Sequence, residues 1–506
     1  MKKLLLVILL CLSILLVSLW VGCQDSSDDD DDDDDDDVSV GDVDQMIQVL
    51  GDAGYIVKEG GAGHFDMIPR CCYPYEEPKL PSCFGFNPSA PYIALFVPDG
   101  EGQTEHNASS LYDDSMTYSA AYRLAENEAI IIAGRTPPTV TYFSYVPYIF
   151  IRLADSGTAY DRIFATMTDA LNLLNVKSTG MPNGSGDDPF DKEMMFIITP
   201  DQTTDAGVRQ AAVQAGYSES IINTMIIPAD IARLGLEPGK DEFMFLNRMA
   251  LPEGDRTDFD AYLNSPLLRV LRVMPPAADP NPFAAPDVTG RTSGNNEDGL
   301  GASVAALRQA ILDAHAGYTA EEYQTKVWIP EGRDCIAQGM ECIGENHDTI
   351  YLRMPGSTSD YPVSGPQLFT LSEDPDDFLY VYGVNHVSME KALYHSISAY
   401  GNDRLNGIVT ITDATFAGSA SNYIPGDENA DKLFVVKVAR DCSTETEDPC
   451  LEIPVGECPF ADPDNYGAPL DAELFLVTRA YVDPATKVGP SPDEIIFDNA
   501  IHFTGE

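Results

Sequence analysis

"ENEAIIIAGRTPPTVTYFSYVPYIFIR" (126–152) and "PDDFLYVYGVNHVSMEKALYHSISAYG" (375–401) share one pattern along the chain. Each begins with acidic residues, continues with five or six apolar residues that end at Gly134 or Gly383, and reaches a second apolar segment containing Tyr-x-Ser after a short loop. Alternation and a high content of β-branched and aromatic residues predict strands for all four apolar segments. The shared order favours a diverged internal duplication.

Two further pairs of segments extend the likeness in the same order. "PGKDEFMFLNR" (238–248) resembles "PGDENADKLFVVKVAR" (425–440), because a Pro-Gly turn leads into a strand in both. "LLRVLRVMPP" (267–276) resembles "ELFLVTRAYVDP" (473–484), because both read as a strand that carries arginine and ends at proline. We therefore expect these segments to be equivalent in the two units, with chance likeness between strands as the alternative.

Three segments have the signals of helices. Residues 159–176 place apolar side chains at helical spacing, and residues 199–216 follow the strand-like "EMMFIIT" with Asp and Thr as capping candidates. Residues 301–318 form the third candidate, whereas 275–300 is rich in Pro, Gly, Asn and Asp and predicts a long loop. The expected fold is α+β, with two β-rich units of sandwich or jelly-roll type and helical insertions in the first.

The N-terminus carries an export pattern. Lys2 and Lys3 precede an apolar run over residues 4–21, and "LWVGC" (19–23) resembles the lipobox of bacterial lipoproteins. The resemblance implies that residues 1–22 are a signal peptide and that Cys23 is lipidated with fatty acyl chains such as palmitate. The alternatives are an uncleaved membrane anchor and secretion after ordinary cleavage.

Ten consecutive aspartates follow at residues 28–37. Adjacent carboxylates repel one another and bury nothing, so this segment predicts a disordered tether or a plain spacer. It also resembles the export signal of some surface-exposed lipoproteins, which implies the bacterial outer membrane, at its periplasmic face or at the cell surface. The expected domains are a signal peptide (1–22), the lipidated cysteine with its acidic tether (23–40), a first β-rich unit (41–300), and a helix with a second β-rich unit and disulfide loops (301–506).

Charge limits the partners of the protein. The chain has 81 acidic and 30 basic residues, and residues 38–506 alone carry a net charge of −42. Nucleic acids and anionic lipid headgroups are therefore disfavoured, and membrane contact is expected through the lipid anchor. The sequence does not identify a protein or small-molecule partner.

Eight cysteines remain once Cys11 and Cys23 are set aside: Cys71, Cys72, Cys83, Cys335, Cys342, Cys442, Cys450 and Cys458. An even number in an exported chain predicts disulfides, with Cys335–Cys342 closing a local loop. The first three of these cysteines form one cluster in the sequence and the last three form another, here called the outer clusters. One cysteine of each outer cluster must pair outside it, so a bridge between the two clusters is expected to tie the start of the fold to its end. Zinc is the alternative, although paired CxxC spacing is missing.

Catalytic motifs are mostly lacking. The sequence contains no GxSxG, HExxH, P-loop or strand-linked GxGxxG, and the S-x-x-K at 388–391 has no K-T-G after it. These absences favour a protein that is not an enzyme.

The best polar candidates are Asn385 and His386, which the duplication would place opposite Arg135. Loops at the same end of two related sheets can form a polar cleft, so these three residues are predicted to bind a ligand. The alternative is that Arg135 and His386 make structural hydrogen bonds.

No resident metal site is predicted. His347, between Glu345 and Asp348, has metal-compatible neighbours but predicts a solvated loop. Oxygen-rich turns such as 462–471 leave calcium as a candidate ion, although the EF-hand spacing is missing.

"GRTPPTVTYFSYVPY" (134–148) and "TRAYVDPATKVGPSPDEI" (478–495) resemble segments of large exported β-rich bacterial proteins of unknown function. The resemblance implies a sandwich or jelly roll and no particular activity. The sequence as a whole predicts a membrane-anchored envelope lipoprotein with a binding or structural role, and an exported hydrolase with a cleft near Arg135 and His386 is the alternative.

Overall fold

The computed structural model describes most of the body of the chain, namely residues 41–72, 82–103, 112–113, 118–157, 159–276, 279–356, 368–458 and 465–505. The predicted signal peptide, Cys23, the aspartate run and part of the oxygen-rich turn at 462–471 lie outside these residues. Among the described helices, none has the length and apolar character that crossing a membrane requires.

Two sheets are built from the first half of the described chain. The outer sheet has the order β1-β13-β6-β10-β11, and the inner sheet has the order β4-β5-β3-β12-β7-β8, with β2 beside β3 and β9 beside β7. The helices are α1 (Val43–Asp52), α2 (Met67–Cys72), α3 (Gln202–Gln214) and α4 (Thr257–Asn264). The strands are β1 (Ile56–Glu59), β2 (Gly61–His64), β3 (Tyr92–Pro98), β4 (Tyr112–Asp113), β5 (Tyr118–Ser119), β6 (Ala129–Arg135), β7 (Val140–Leu153), β8 (Tyr160–Thr166), β9 (Leu171–Asn172), β10 (Glu193–Thr199), β11 (Ile222–Ile226), β12 (Glu242–Pro252) and β13 (Leu268–Met274).

The second half forms two more sheets. Its outer sheet has the order β14-β23-β17-β20-β21, and its inner sheet has the order β15-β16-β22-β18-β19. The helices are α5 (Gly301–Ala314), α6 (Gly332–Gln338) and α7 (Asp413–Phe416). The strands are β14 (Thr319–Tyr323), β15 (Lys326–Val327), β16 (Thr349–Met354), β17 (Asp377–Val384), β18 (Tyr394–Gly401), β19 (Asn406–Thr412), β20 (Leu433–Ala439), β21 (Cys450–Glu452), β22 (Leu474–Tyr481) and β23 (Asn499–Thr504).

The two halves repeat the same strand connectivity. Both outer sheets contain three antiparallel strand pairs and end in one parallel pair, β10–β11 or β20–β21. Both inner sheets share a four-stranded path, β3-β12-β7-β8 in the first half and β16-β22-β18-β19 in the second. The predicted α+β fold with two β-rich units is confirmed, and the topology makes β6–β7 equivalent to β17–β18, as residues 126–152 and 375–401 indicate.

The other two predicted equivalences are wrong. Strand β12, which contains most of 238–248, occupies the place of β22, and β20 occupies the place of β10. Strand β13 likewise corresponds to β23 and not to the strand within 473–484. Buried strands resemble one another in composition, so the hydrogen-bonded neighbours decide equivalence, and the sequence does not reveal them.

Each repeat has one helical layer and two sheet layers. Ile130 and Ile132 of β6 face the inner sheet, whereas Ile131 of the same strand faces α1 and α3. In the second repeat, Val381 faces the inner sheet and Tyr380 faces α5. Because side chains alternate between the two faces of a strand, each outer sheet contributes to two hydrophobic cores. Aromatic residues of both inner sheets share a further core between the repeats.

The helix predictions had mixed outcomes. Helices α3 and α5 are confirmed, and the Asp201 carboxylate caps α3 by accepting from the Thr204 amide at 2.7 Å. The helix predicted at 159–176 is wrong, because β8 and β9 occupy this segment and hydrogen-bond to β7. Pairing with the edge of a long strand overrides the helical spacing of its apolar residues. The predicted loop at 275–300 contains no helix or strand in its described part up to residue 297.

All eight cysteines of the body form disulfides, which pair as Cys71–Cys83, Cys72–Cys458, Cys335–Cys342 and Cys442–Cys450. The predicted local bridge and the predicted bridge between the outer clusters are both confirmed. The zinc alternative for these cysteines is wrong, because their sulfurs are engaged in bonds to one another.

We expect loss of the Cys72–Cys458 bridge to destabilise the fold more than loss of Cys442–Cys450. The bridges span 386 and 8 residues, respectively. The chain-entropy difference between two such loops is about 3 kcal/mol. Chemical unfolding of the Cys72→Ala/Cys458→Ala and Cys442→Ala/Cys450→Ala variants, without reductant, measures this difference. Equal losses of unfolding free energy would contradict it.

Candidate functional site

The repeats meet through two copies of the motif Cys-x-Gly-x-Asn, at 83–87 and 342–346, here called the CxGxN loops. The glycine of each loop has a positive φ, 60° for Gly85 and 75° for Gly344, and so does the residue before it. This left-handed backbone favours glycine and turns each loop sharply.

Each CxGxN loop bonds to the opposite repeat. The Gly85 amide donates to the carbonyl of Leu405 at 2.8 Å, just before β19. The Gly344 amide donates to the carbonyl of Phe164 at 2.7 Å, in β8. Because β8 and β19 are equivalent strands, the two contacts are reciprocal: each repeat binds the CxGxN loop of the other at the same strand. This reciprocal docking is called the loop exchange below.

The asparagines of the loops continue this exchange. Asn346 Nδ2 donates to the Tyr142 hydroxyl at 2.9 Å and to Ser144 Oγ at 3.2 Å. Asn87 Nδ2 donates to the Tyr394 hydroxyl at 3.4 Å. The Tyr-x-Ser segments of the sequence are therefore the docking points for the asparagine of the other repeat.

Two equivalent arginines complete the contact. Arg248 of β12 donates through Nη2 to the Gly344 carbonyl and to the Tyr148 hydroxyl, the latter at 2.7 Å. Arg479 of β22 donates to the Gly85 carbonyl at 2.9 Å and to a tyrosine hydroxyl at 2.6 Å. Both side chains are buried, so each loop carbonyl receives a charge-assisted hydrogen bond from the other repeat.

A cavity of about 40 Å³ lies between the loops. One water needs about 10–15 Å³ by this measure, so the cavity has room for a small polar molecule of a few heavy atoms. Its walls are mainly aromatic and aliphatic and include the arginines; they comprise Phe65, Met67, Phe84, Gly85, Phe86, Asn87, Tyr92, Phe150, Phe164, Met244, Leu246, Arg248, Ile329, Ile343, Gly344, Tyr351, Arg479 and Tyr481.

The charge at this cavity is positive. Within the described part of the chain, no carboxylate oxygen lies within 4.0 Å of the Arg248 or Arg479 guanidinium. The Nε of Arg248 also has no hydrogen-bond partner among the described residues. Two buried guanidinium groups beside one small cavity favour an anion there, because burial of an uncompensated charge is costly.

The acidic residues in and just after the second CxGxN loop, Glu345 and Asp348, have partners outside the cavity. Glu345 accepts from the Thr166 amide at 2.8 Å, and burial raises the pKa of its carboxyl. Asp348 accepts from the Tyr142 hydroxyl at 2.8 Å and from Asn172 at 2.9 Å, and burial raises its pKa to about 6. Desolvation thus favours the neutral form of both groups.

His347 does not lie in the predicted solvated loop. It is buried, with Nδ1 2.8 Å from Glu331 Oε2 and Nε2 2.9 Å from the Thr289 carbonyl. Burial alone would lower the pKa of His347, but the hydrogen bond to Glu331 raises it overall, and the pKa of Glu331 falls to about 2. The prediction is wrong because the loop is enclosed by the first repeat.

The structure separates Arg135 from His386. Arg135 ends β6 at the surface and pairs with Asp191 at 2.6 Å. His386 is buried in the second repeat, where Nδ1 lies 2.8 Å from Glu297 Oε1. Within the described part of the chain, no hydrogen bond or ion pair joins the two residues, because their loops lie at equivalent ends of different repeats.

Asn385 has a role in its own turn. Its side-chain oxygen accepts from the Val387 amide at 3.1 Å, and its backbone amide donates to the backbone carbonyl of Lys432 at 2.8 Å. Lys391 of the S-x-x-K sequence is buried and pairs with Asp483 and Glu494, each at 2.7 Å. These contacts stabilise the loop after β17.

Sequence reasoning missed the CxGxN loops and both arginines. A signal was available, because Cys83 and Cys342 each begin the same five-residue motif. Arg248 and Arg479 carried a weaker signal, since arginine in a buried strand occurs elsewhere in this chain, as at Arg272.

Comparison with known proteins gives little beyond this geometry. No protein-family model and no curated protein matches the chain. An uncharacterized protein from Burkholderia cenocepacia is similar with a TM-score of 0.35 and 11% identity, over 90% of this chain and 86% of its own. The VPA0106 protein from Vibrio parahaemolyticus has a TM-score of 0.34 and 10% identity, over 90% and 96%. Likenesses of this degree carry no functional argument.

We expect Gly344→Ala to destabilise the protein more than Gly339→Ala. Both glycines have positive φ, 75° and 66°, so both variants lose about 1 kcal/mol from backbone strain. A Cβ at Gly344 would lie 2.8 Å from Phe164, whereas a Cβ at Gly339 would have no neighbour within 4 Å among the described residues. The clash adds about 1–3 kcal/mol. Unfolding free energies measure the difference, and indistinguishable values would refute close docking of the loop.

Proposed function

We propose that this protein is a lipid-anchored component of the bacterial cell envelope that binds a small anion between its two repeats. The observation that carries the proposal is the pair of buried arginines, Arg248 and Arg479, beside one cavity without a described carboxylate partner. The role is binding rather than catalysis.

Envelope location has support from two independent features. The segment at 19–23 resembles a lipobox, and the eight cysteines of the body all form disulfides. Disulfides persist in oxidising compartments outside the cytosol. Cys23 would hold the acyl chains, and the acidic tether would carry the body at the outer membrane, on its periplasmic face or at the cell surface.

The chemistry of the cavity favours a small oxyanion. Guanidinium groups bind carboxylates through two parallel hydrogen bonds, and the aromatic walls exclude water that would screen the charge. The cavity volume of about 40 Å³ limits the ligand to the size of formate, acetate or bicarbonate. The hydrolase alternative has no comparable support, because Arg135 and His386 have separate contacts.

Lipidation should depend on Cys23 and not on Cys11. Both cysteines lie in the N-terminal segment, but only Cys23 follows Gly22 in the lipobox-like sequence. Cells grown with labelled palmitate should label the wild-type protein and Cys11→Ala, whereas Cys23→Ala should remain unlabelled. Equal label on all three proteins, or none on the wild type, would refute the lipid anchor.

Anion binding should depend on the buried arginines. Purified protein should release about one small anion per chain on denaturation, and added acetate or formate should raise its melting temperature through binding to the native state. Arg135→Met, which removes an exposed arginine, should keep this response. Arg479→Met and the milder Arg479→Lys should reduce it at least tenfold in apparent affinity, because the guanidinium fork is lost.

If the wild type holds no anion and its melting temperature is insensitive to formate, acetate, bicarbonate and chloride, the cavity is not an anion site. A response that Arg479→Lys retains in full would equally exclude Arg479 as a ligand.

A further inference from the structure

Three buried side chains come together in the second repeat, away from the central cavity. They are His386 after β17, His395 on β18 and Asp498 before β23, and one polar atom of each lies within 4.8 Å of the others. All three are at most 1% exposed at the side chain. Because β17 belongs to the outer sheet and β18 to the inner sheet, the cluster joins the two sheets.

The polar atoms of this cluster lack ordinary partners. Among the described residues, no hydrogen bond reaches Nε2 of His386, either ring nitrogen of His395, or either carboxylate oxygen of Asp498. The closest approaches are 3.3 Å between His395 Nε2 and Asp498 Oδ2, and 4.0 Å between His386 Nε2 and Asp498 Oδ1. Five buried polar atoms without a hydrogen bond would be strongly destabilising unless something binds them.

The charge around the cluster is negative. Glu297 and Asp498 are buried completely, and Glu494 and Asp483 lie close by with side-chain exposures of 8% and 1%. The ammonium group of Lys391 contacts Glu494 and Asp483 at 2.7 Å each. Glu297 and Asp498 therefore face histidines and no described lysine or arginine, so a divalent cation would balance their charge.

The first repeat shows that the fold does not need these residues. Counted on from the paired residues of the equivalent strands, Pro137 takes the place of His386, Phe143 that of His395 and Leu268 that of Asp498. The first repeat forms the same sheets with this apolar trio. The polar trio therefore has a purpose beyond the packing of the strands.

Glu297 orients one histidine of the cluster, and Gly383 leaves space for its carboxylate. Glu297 Oε1 lies 2.8 Å from Nδ1 of His386, which leaves Nε2 as the free nitrogen and orients the ring. Gly383 leaves room for the carboxylate, because a Cβ at this position would collide with Asp498 Oδ1. A carboxylate behind a histidine is the usual outer support of a metal ligand.

We propose that His386, His395 and Asp498 bind one divalent transition-metal ion, with zinc as the expected metal. Two imidazoles and a carboxylate match zinc better than calcium or magnesium, which prefer oxygen ligands. Ligands of one zinc ion lie about 3.3 Å apart, so a small closure of the cluster is enough. With three protein ligands, a tetrahedral ion keeps its fourth position for a small ligand such as water. The burial of all three residues places the ion between the two sheets of the second repeat.

The test uses the full-length protein purified in detergent, with metal content measured by plasma mass spectrometry. His395→Phe and Asp498→Leu introduce the residues that the first repeat has at these positions, so both variants are expected to fold. His502→Gln is the matched control, because His502 lies on β23 and contacts Asp377 at 2.7 Å, outside the cluster.

The wild type and His502→Gln should contain about one zinc ion per chain, or take it up from added Zn²⁺, with a rise in melting temperature. His395→Phe and Asp498→Leu should hold less than about a tenth of this amount. Zinc X-ray absorption of the wild type should show nitrogen and oxygen neighbours at about 2.0–2.2 Å, which keeps the proposal testable if the variants unfold.

A wild type that contains no metal and binds neither Zn²⁺, Co²⁺ nor Mn²⁺ would overturn the proposal. Full zinc content in His395→Phe, or sulfur neighbours in the absorption spectrum, would overturn it as well. None of these results depends on anion binding at Arg248 and Arg479, so the two proposals succeed or fail separately.

Discussion

The exchange of the CxGxN loops is the interaction on which the rest of the structure depends. Within the described part of the chain, the backbone amides of Gly85 and Gly344 donate to carbonyls of the opposite repeat. Arg248 and Arg479 reach across in the same way to the loop carbonyls. Neither repeat therefore satisfies these loop groups by itself, so the two repeats must be in contact, and their inner sheets share one core. The Cys72–Cys458 bridge ties the same two parts covalently.

Internal repetition also separates what the fold requires from what one repeat has added. Features present twice, such as the loop glycines, the Tyr-x-Ser segments and the strand arginines, belong to the joint between the repeats. Features present once, such as His395 where the other repeat has Phe143, are free of this structural role. The first repeat has apolar residues at the positions of the cluster around Asp498. The polar residues of this cluster are therefore not required for the fold of a repeat.

Much of the architecture could be predicted from local sequence. The apolar alternation of β6, β7, β17 and β18 identified the duplicated core, and the spacing of Cys335 and Cys342 identified their bridge. The prediction failed at 159–176, where β7 supplies strand partners that the helical spacing does not reveal. It failed again for two of the three predicted pairs of equivalent segments, 238–248 with 425–440 and 267–276 with 473–484. The hydrogen-bonded neighbours of a strand decide which strand is its equivalent, and the sequence does not show them. The candidate site was missed for the same reason: Arg248 and Gly344 lie far apart in sequence and meet only through the exchange.

The sequence by itself determined the acidic character, the β-rich composition, the number of disulfides and which residues could carry chemistry, and it predicts an export signal. These properties follow from residue type and short-range spacing, which need no knowledge of distant contacts. Only the tertiary structure decided that His386 lies beside His395 and Asp498 rather than opposite Arg135. It also decided that two arginines share one cavity. Strand order and loop exchange set these neighbours, and both arise from hydrogen bonds between segments that are not adjacent in the sequence.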